Sequence, residues 1–342
     1  MTIQKISLPE LATATAFVAT DLDNAERYTG VVRSAKKILQ DGAKLLARSQ
    51  TYSWAVLGQQ VSGASAGINL ASEDRSAAIA GFCEQILPRF VAGELSLDAG
   101  KGVGAGEISP LIAADPVLAR RHEEFMGTTL GAVLLAAGVA TAAGQAIGGL
   151  DGRTVVIEGS GDATAPLVKF ISEQGGRVVA LANPDGSGSM VDMPTDLDEA
   201  LAVAAGTAEG QVNPGDAFSI ESDVLICGSK SGLIDHEVAA RLVQSAIIPI
   251  GATPITARGL AVAHRREVKV LADFVSTSGP LFVELSPTAD PAALVATATE
   301  RVGSLCAEFA EHPDGDLLGA CYRAEEYLKT WREELPFGRP IA

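Results

Sequence analysis

The amino-acid sequence predicts an α/β protein of two domains, one of which contains a doubly wound parallel sheet. Beyond residue 150, short runs of β-branched residues alternate with stretches of helical periodicity, which is the pattern of βαβ units. Aromatic residues make up only 5% of the chain, whereas alanine, glycine and valine are abundant, and such small residues suit helices packed closely on a sheet. The length of 342 residues, of which 47% are hydrophobic, is sufficient for two hydrophobic cores.

The second half of the chain carries the regular alternation. We predict strands at residues 153–158, 177–182, 223–227, 246–250 and 268–271. We predict helices between them at residues 165–174, 196–205 and 236–243. The short, strongly apolar strands are typical of a parallel sheet that is buried on both faces.

The first half is less regular. Apolar residues recur at helical spacing in residues 34–48 and 77–90, and the segment FVATDL at residues 17–22 alternates like a strand. Residues 95–110 are rich in glycine and lack periodicity, so we predict a long loop, a feature that is often functional in compact domains. Two further segments have helical spacing, and we expect helices at residues 122–147 and 317–334.

The charge and the cysteines exclude several classes of function. The chain has 42 Asp and Glu against 26 Lys and Arg, and its net charge of −16 repels nucleic-acid phosphates and anionic lipid surfaces. The four cysteines have neither C-x-x-C spacing nor clustered histidines, so we expect a reduced, metal-free, cytoplasmic protein. The apolar run at residues 131–147 is interrupted by polar residues and is shorter than the ~20 residues of a membrane span. We therefore expect a buried helix there, and neither nucleic acid nor a membrane as a partner.

A glycine-rich turn lies between the first strand and the first helix of the second half. The segment GSGDATA at residues 159–165 resembles the G-x-G-x-x-A fingerprint, with Gly159 for the tight turn, Gly161 for close approach to a pyrophosphate and Ala165 as the small helix residue. A strand precedes the turn and a helix follows it, so the N-terminal N–H groups of that helix would face the phosphates. We predict a dinucleotide site formed by Gly159, Ser160, Gly161, Asp162 and Ala163. A purely structural glycine turn is the alternative.

The end of the second strand of this half bears on the choice of cofactor. An acidic side chain there would bind the adenosine ribose, whereas a nearby arginine would suit a 2′-phosphate. Asn183 indicates neither, but Asp185 could reach the ribose, and no Lys or Arg follows before Lys230. The sequence therefore favours NAD, with NADP left open. A solvated Pro-Asp-Gly turn is the alternative role for Asp185.

Several strings of the chain resemble the glutamate/leucine/phenylalanine/valine dehydrogenase family. The segments from GRTVVIEGSGDATA to VALANPDG, then SDVLICGSKSGLID, AIIPIGATPIT and VLADFVSTSGP are similar to successive landmarks of that family's dinucleotide domain. In the first half, LLARSQTYSWAVLGQQVSGASAGI resembles the helix and glycine-rich substrate turn, LDAGKGV the catalytic-aspartate segment, and GTTLGAV the threonine-bearing helix start.

The resemblance implies a domain organisation and a set of site residues. It implies a substrate and oligomerisation domain at residues 1–130, a Rossmann domain at 131–285, and C-terminal helices at 286–342 that pack back on the first domain. It implies a homo-oligomer acting on a small molecule. Asp98 matches the catalytic aspartate and Thr128 the threonine beside the nicotinamide. The cofactor set implied in addition to the turn is Asn183, Asp185, Cys227, Gly228, Thr253 and Thr277.

The chain departs from the family pattern at the substrate site. The family's glycine-rich turn ends in a lysine that activates the substrate, and a second lysine twelve residues earlier binds its carboxylate; the matching positions here are Ser65 and Ser53. Glu284 stands where the family has a carboxylate-binding serine. An α-carboxylate held without either ammonium group would be left unpaired in a site of low dielectric constant, which is costly. Ordinary α-amino acids are therefore not the expected substrates.

Three functions remain open at this point. The first is an NAD(P)-dependent oxidoreductase acting on an amine, amino alcohol or hydroxylated substrate, with Asp98 and Lys101 as catalytic groups and Ser53, Ser65, Thr128 and Glu284 in the substrate pocket. The second is a non-catalytic dinucleotide-binding homologue that acts as a sensor or partner subunit, and the third is a fold that binds another nucleotide. At the residue level, Asp98 could equally cap a loop, Lys101 could be solvated, and the serines could serve packing alone.

Overall fold

The chain folds into two units, each built on its own sheet. The computed structural model describes residues 1–8, 11, 14–70, 74–183, 188–206, 214–335 and 338–342. Unit 1 comprises Met1–Arg120 and Arg323–Pro340, and unit 2 comprises Arg121–Tyr322 and Ile341–Ala342. The two-domain α/β architecture predicted from the sequence is confirmed.

The sheet of unit 1 has five strands in the order β1-β2-β4-β3-β5. These are β1 (Thr2–Ile6), β2 (Thr15–Thr20), β3 (Tyr28–Ala35), β4 (Ser62–Asn69) and β5 (Leu95–Ala99). The helices are α1 (Gln40–Val56), α2 (Arg75–Val91), α3 (Ser109–Ala114) and α4 (Pro116–Arg121), the last at the boundary of the unit. Strands β4, β3 and β5 are parallel, whereas β1 and β2 run antiparallel to their neighbours.

The two faces of this sheet are covered by different helices. Val32 and Leu97 belong to a core cluster together with Phe82 of α2. On the opposite face, α1 lies so close to β4 that a Cβ at Gly63 would stand 1.8 Å from the carbonyl oxygen of Ala47. A glycine is therefore required at this crossing because no side chain could be accommodated.

The main sheet of unit 2 has six strands in the order β10-β9-β8-β11-β12-β13. They are β8 (Thr154–Glu158), β9 (Arg177–Ala182), β10 (Met190–Val191), β11 (Val224–Cys227), β12 (Ala246–Pro249) and β13 (Lys269–Val270). All pairs are parallel except the edge pair of β10 with β9. The order reverses between β8 and β11, which is the switch point at which doubly wound sheets bind their ligands.

Helices connect these strands, and a small hairpin precedes them. The hairpin consists of β6 (Glu124–Phe125) and β7 (Thr128–Thr129). The helices are α5 (Leu130–Ile147), α6 (Thr164–Glu173), α7 (Leu197–Ala204), α8 (His236–Arg241), α9 (Ala257–Arg265), α10 (Asp273–Ser276), α11 (Phe282–Leu285), α12 (Pro291–Phe309) and α13 (Asp316–Lys329), whose last residues belong to unit 1.

Helix α5 is long and apolar enough to cross a membrane by length and composition alone, but most of its residues are buried inside unit 2. Its Gly138 lies against α12, where Val302 is 3.6 Å from the position that a Cβ would take. The expectation of a buried helix is thus confirmed, and α5 is the core helix of this unit.

The predicted domain limits need correction. Unit 1 ends at Arg120 rather than at residue 130, and the C-terminal segment returns to it only at Arg323. Helix α12 belongs to unit 2, where its buried apolar face packs against α5.

Three predicted elements of the first half are also wrong. The helix predicted from residue 34 begins at Gln40, because residues 28–35 form β3. The loop predicted at 95–110 contains β5, whose alternation covers only five residues, and α3. The helix predicted from residue 122 begins at Leu130, because the hairpin precedes it and the Thr129 hydroxyl accepts the N–H of Ala132 as an N-terminal cap.

Candidate functional site

The turn after β8 has the geometry of a phosphate-binding turn. Gly159 has a φ of 74°, and a Cβ there would stand 2.6 Å from the Cβ of Ser229. Gly161 has a φ of 54°, but a Cβ there would meet nothing within 4 Å. The space above Gly161 is therefore open at the start of α6, where backbone and helix dipole favour an anion. These residues fit a dinucleotide pyrophosphate.

The sixth position of the fingerprint is Thr164, so the prediction that Ala165 fills it needs correction. Thr164 is buried, and its hydroxyl donates to the carbonyl of Gly161 at 2.6 Å and lies 2.5 Å from the Ser160 hydroxyl. The two hydroxyl groups hold the turn from within. Ala163 is buried, whereas Asp162 is exposed at the surface of the turn.

A buried carboxylate joins the ends of β8 and β11. Glu158 is only 1% exposed, and its Oε2 accepts the N–H groups of Gly228 at 3.2 Å and Ser229 at 3.1 Å. Glu158 is thus a buried cap for these two N–H groups. The pairing fixes the segment after β11 against the phosphate-binding turn.

Two of the predicted cofactor residues lie next to this carboxylate. The side chain of Cys227 is fully buried in β11, and burial, together with the charge of Glu158, raises the pKa of its thiol. That side chain is enclosed in the sheet and is therefore corrected from a cofactor contact to a core residue. Gly228 packs against Gly251, whose nitrogen would stand 2.2 Å from a Cβ at this position.

Two further predicted cofactor residues are Thr253, which follows β12, and Thr277, which directly follows α10. Thr253 is buried with a φ of 51°; its N–H donates to Asp273 at 2.9 Å, and its hydroxyl lies 2.7 Å from that of Ser231. Thr277 ends α10, and its hydroxyl donates to the carbonyl of Asp273 at 2.7 Å. Asp273 thus connects both threonines on the side of the sheet where the strands end.

The ribose end of the predicted site is described only in part. Asn183 follows β9, and its N–H donates to the Ser189 hydroxyl at 2.6 Å. Asp185 lies outside the described residues, so the prediction about the ribose contact stays a prediction.

Two predicted substrate residues belong to unit 2. The Thr128 hydroxyl donates to the carbonyl of Asp162 at 3.4 Å, which places it at the phosphate-binding turn. Glu284 of α11 forms an ion pair with Arg121, with 3.6 Å between Oε2 and Nη2. Glu284 is therefore paired with a cation within unit 2, and its place in a substrate pocket stays a prediction.

In unit 1, Asp98 and Ser65 lie in one row across the same face of the sheet. Val31 of β3 is the register partner of both Asp98 in β5 and Ser65 in β4. Register partners project to the same face, and two strand spacings separate the outer Cα atoms by about 10 Å. The prediction that Asp98 stands on a loop is wrong: it lies on a strand and is half-buried, with Oδ1 accepting the N–H of Ala99 at 2.7 Å.

The remaining predicted residues of unit 1 differ in exposure. Ser53 is buried in α1, and its hydroxyl donates to the carbonyl of Ser49 at 3.2 Å. Ser65 is fully buried, and its Oγ meets no hydrogen-bond partner in the described part of the chain. Lys101 is exposed in the turn after β5, where its carbonyl accepts the N–H of Ser34.

A surface groove of about 560 Å³ in unit 2 lies away from these residues. It is lined by α9, β13 and residues 314–318, and its charged or titratable members are His264, Glu267, Lys269, Asp314 and Asp316. None of the residues predicted from the sequence lines this groove.

Comparison with known proteins finds glutamate dehydrogenases among the similar sequences and structures. No protein-family profile matches the chain. It is 28% identical over 153 residues to the NADP-specific glutamate dehydrogenase of Saccharolobus shibatae. This match covers 42% of this chain and 36% of that protein. It is 23% identical over 172 residues to an NAD-specific glutamate dehydrogenase of Staphylococcus aureus, covering 49% of this chain and 41% of that protein. The match thus spans less than half the length of these curated relatives.

The fold agrees over nearly the whole chain. The hetero-hexameric glutamate dehydrogenase of Thermus thermophilus, solved in a leucine-bound form, superposes with a TM-score of 0.80 over 97% of this chain and 89% of that one, at 19% identity. The chain is thus similar in sequence to glutamate dehydrogenases over part of its length, and it shares their two-domain fold.

Sequence reasoning missed the role of one charged group at the ends of β8 and β11. A carboxylate at a strand end is usually exposed, so the sequence does not indicate that Glu158 is buried. The available signal is its position as the last residue of β8, beside the glycine turn that follows.

Proposed function

We propose that this chain is a nicotinamide-dinucleotide-dependent oxidoreductase of the amino-acid dehydrogenase type. The observation that carries the proposal is the turn at Gly159 and Gly161, with open space above Gly161 at the start of α6. The names of the relatives support the class, since all those reported above are glutamate dehydrogenases.

The proposed preference for NAD over NADP rests on the sequence alone. The absence of Lys or Arg between residues 183 and 230 favours NAD, because a 2′-phosphate needs a cation. The relatives include an NADP-specific and an NAD-specific enzyme, so both cofactors belong in the first binding assay.

The proposed substrate is an amine, an amino alcohol or a hydroxylated small molecule rather than an ordinary α-amino acid. Ser53 and Ser65 are buried and carry hydroxyl groups where the family has two ammonium groups. Hydroxyl groups can orient a neutral atom, but they do not neutralise an α-carboxylate in a buried site.

Asp98 is the proposed general acid or base. The bound nicotinamide ring would supply the hydride acceptor or donor. The carboxylate of Asp98 would take or give the proton of the substrate's hydroxyl or amino group, and its bond from the N–H of Ala99 fixes its orientation on β5.

The test is a spectrophotometric screen of amines, amino alcohols, hydroxylated compounds and amino acids with NAD and NADP. With an accepted substrate, Asp98→Asn should lower turnover by roughly 10²–10⁴, while dinucleotide affinity stays unchanged. Asp41→Asn, at a side chain that is 94% exposed, is the matched control and should leave turnover unchanged. Reduction of either cofactor by glutamate, leucine, phenylalanine or valine would refute the altered substrate class.

A second candidate is a non-catalytic subunit that binds dinucleotide and assembles with a partner chain or with itself. The loss of both lysine positions favours it, and the Thermus thermophilus relative is described as a hetero-hexamer. Native mass spectrometry would distinguish a homo-oligomer from a chain that is monomeric until a partner is present. Tight dinucleotide binding without turnover on the full screen is the result expected of this candidate.

A further inference from the structure

The surface groove of unit 2 between α9, β13 and residues 314–318, called here the α9–β13 groove, is a space that the proposed function does not use. Its volume is about 560 Å³. Binding sites for small molecules typically have volumes of about 300–1,000 Å³. The groove is therefore large enough for a small organic ligand.

The accessible lining of the α9–β13 groove is mostly apolar. Five aliphatic side chains contribute to it, namely Leu260, Val268, Val270, Leu317 and Leu318. Three of them, Val268, Val270 and Leu317, are buried for the most part in unit 2, which holds the lining in place. A hydrocarbon group that bound here would remove apolar surface from water.

The charged groups that line the α9–β13 groove are unequal in number. Three are carboxylates, those of Glu267, Asp314 and Asp316. Lys269 supplies the one ammonium group among the described lining residues, and His264 is the remaining titratable member. With a neutral histidine, the groove therefore has an excess of negative charge at neutral pH.

Lys269 does not pair with these carboxylates. Its Nζ donates to the carbonyl of Ala146, near the end of α5, at 3.0 Å. Within the described part of the chain, no cationic nitrogen lies within 4 Å of any of the three carboxylates. Burial raises the pKa of the Asp316 carboxyl, and the charge of Lys269 offsets this effect only in part. The groove thus joins an apolar lining to carboxylates that lack a close counter-charge.

We propose that the α9–β13 groove binds a small organic ammonium ion that carries an apolar group, an alkyl or arylalkyl amine. The apolar group packs on the aliphatic lining, and the ammonium group donates to the carboxylates, with Asp316 as the main acceptor. An ammonium group has three donors and no acceptor, whereas an ionised carboxylate only accepts, so the two are complementary. A carboxylate of the same shape would be repelled, and an alcohol would lack the attraction of the charge.

The α9–β13 groove lies apart from the proposed dinucleotide site within unit 2. The sheet order from the phosphate-binding turn outward is β8-β11-β12-β13, so three strand spacings, about 14 Å, separate β8 from β13. The inference therefore goes beyond the proposed function, and binding of an amine and of a dinucleotide can be measured independently.

The first test measures the binding of hexylamine and phenethylamine to the full chain by titration calorimetry. Each amine is compared with the alcohol and the carboxylate of matching length. At least one amine should bind at least tenfold more tightly than its alcohol, its carboxylate should not bind, and added salt should weaken the amine. Binding of neither amine, or equal affinities for amine and alcohol, would overturn the proposal.

The second test removes the proposed acceptor. Asp316→Asn keeps the shape of the side chain and should weaken amine binding by roughly tenfold. The matched control is Glu311→Gln, which removes the same charge from an exposed position outside the groove and should leave the affinity unchanged. Equal losses in the two variants would show a general effect of net charge and would overturn the proposal.

The third test fills the groove. Ala261→Trp introduces a large side chain from an exposed lining position on α9 and should abolish amine binding. Ala296→Trp places the same side chain at an exposed position on α12 outside the groove and should bind the amine as wild type does. A cooperative thermal transition shows that both variants are folded. Unchanged binding in a folded Ala261→Trp would overturn the proposal, whereas amine binding by a wild type that binds no dinucleotide would contradict the proposed function alone.

Discussion

The backbone of Thr253 adopts a left-handed conformation that β-branched residues rarely take. Its φ is 51°, and the hydroxyl lies 2.7 Å from that of Ser231. Asparagine tolerates this region better than threonine does, because its side chain can bond locally. The backbone at Thr253 is therefore strained.

Replacing Thr253 should separate the strain from the hydrogen bond. Thr253→Asn relieves the left-handed strain and keeps a polar partner for Ser231, so the free energy of unfolding should stay the same or rise by about 1 kcal/mol. Thr253→Val keeps the strain and loses the bond, so the free energy should fall by about 1 kcal/mol. Urea denaturation of the three proteins measures both. The opposite order of the two variants would contradict this explanation.

Among the elements, β8 and β11 are held together at both ends by acidic side chains. Glu158 caps the ends at the phosphate-binding turn. At the other end, the carboxylate of Asp223 accepts three hydrogen bonds. The donors are the N–H of Thr154 at 2.8 Å, the hydroxyl of Thr154 at 2.9 Å and the guanidinium of Arg153 at 3.1 Å. The hydrogen bond from the Thr154 backbone is the main cause of a pKa for Asp223 below its ordinary value of 3.8.

This lowered pKa predicts loss of stability in acid. Because the folded pKa lies below 3.8, the bonds of Asp223 contribute fully above that value, and the contribution is lost as the pH falls through the folded pKa. Asp223→Asn should therefore show a smaller fall in unfolding free energy between pH 6 and pH 3 than wild type. The exposed neighbour Glu221, changed to Gln, serves as the control and should retain the wild-type slope. Equal slopes for wild type and Asp223→Asn would contradict the assignment.

The elements of unit 2 were predictable from the sequence, and those of unit 1 only in part. Strands such as β9 and β11 are short apolar runs bounded by glycine or polar residues, so their pattern is local. Strand β4 reads SGASAGIN, with small residues that neither alternate nor favour a strand. It forms because α1 and the flanking strands bury it on every side, and that information is non-local.

The candidate site, too, was predictable only where its sequence signal is local. The turn at Gly159 could be predicted because its glycines are required by local backbone geometry. Asp98 was found by resemblance, but its strand was missed because five residues are too few for a reliable period.

At the scale of the whole molecule, the four cysteines should not react with thiol reagents while the protein is folded. All four are buried, and burial raises the pKa of Cys83 to about 11 and that of Cys306 to about 12, as it also raises that of Cys227. The thiolate is the reactive form, so a thiol reagent at pH 8 should modify none of them in the native protein and all four in denaturant. Rapid reaction of the native protein would show that one unit opens locally.

The most direct test of the account is the stabilisation of the protein by NADH and NADPH, measured as a thermal shift. A ligand that binds only the folded state adds about 2.7 kcal/mol at a hundredfold excess over its Kd. Wild type should be stabilised by at least one of the two, and Gly161→Arg should abolish the effect because its side chain would fill the open space above the turn. The control is Gly152→Arg, at a glycine that also has a positive φ of 68° and no atom within 4 Å of a Cβ, and it should keep the shift. No shift of wild type with either dinucleotide, or an unchanged shift in Gly161→Arg, would contradict the account.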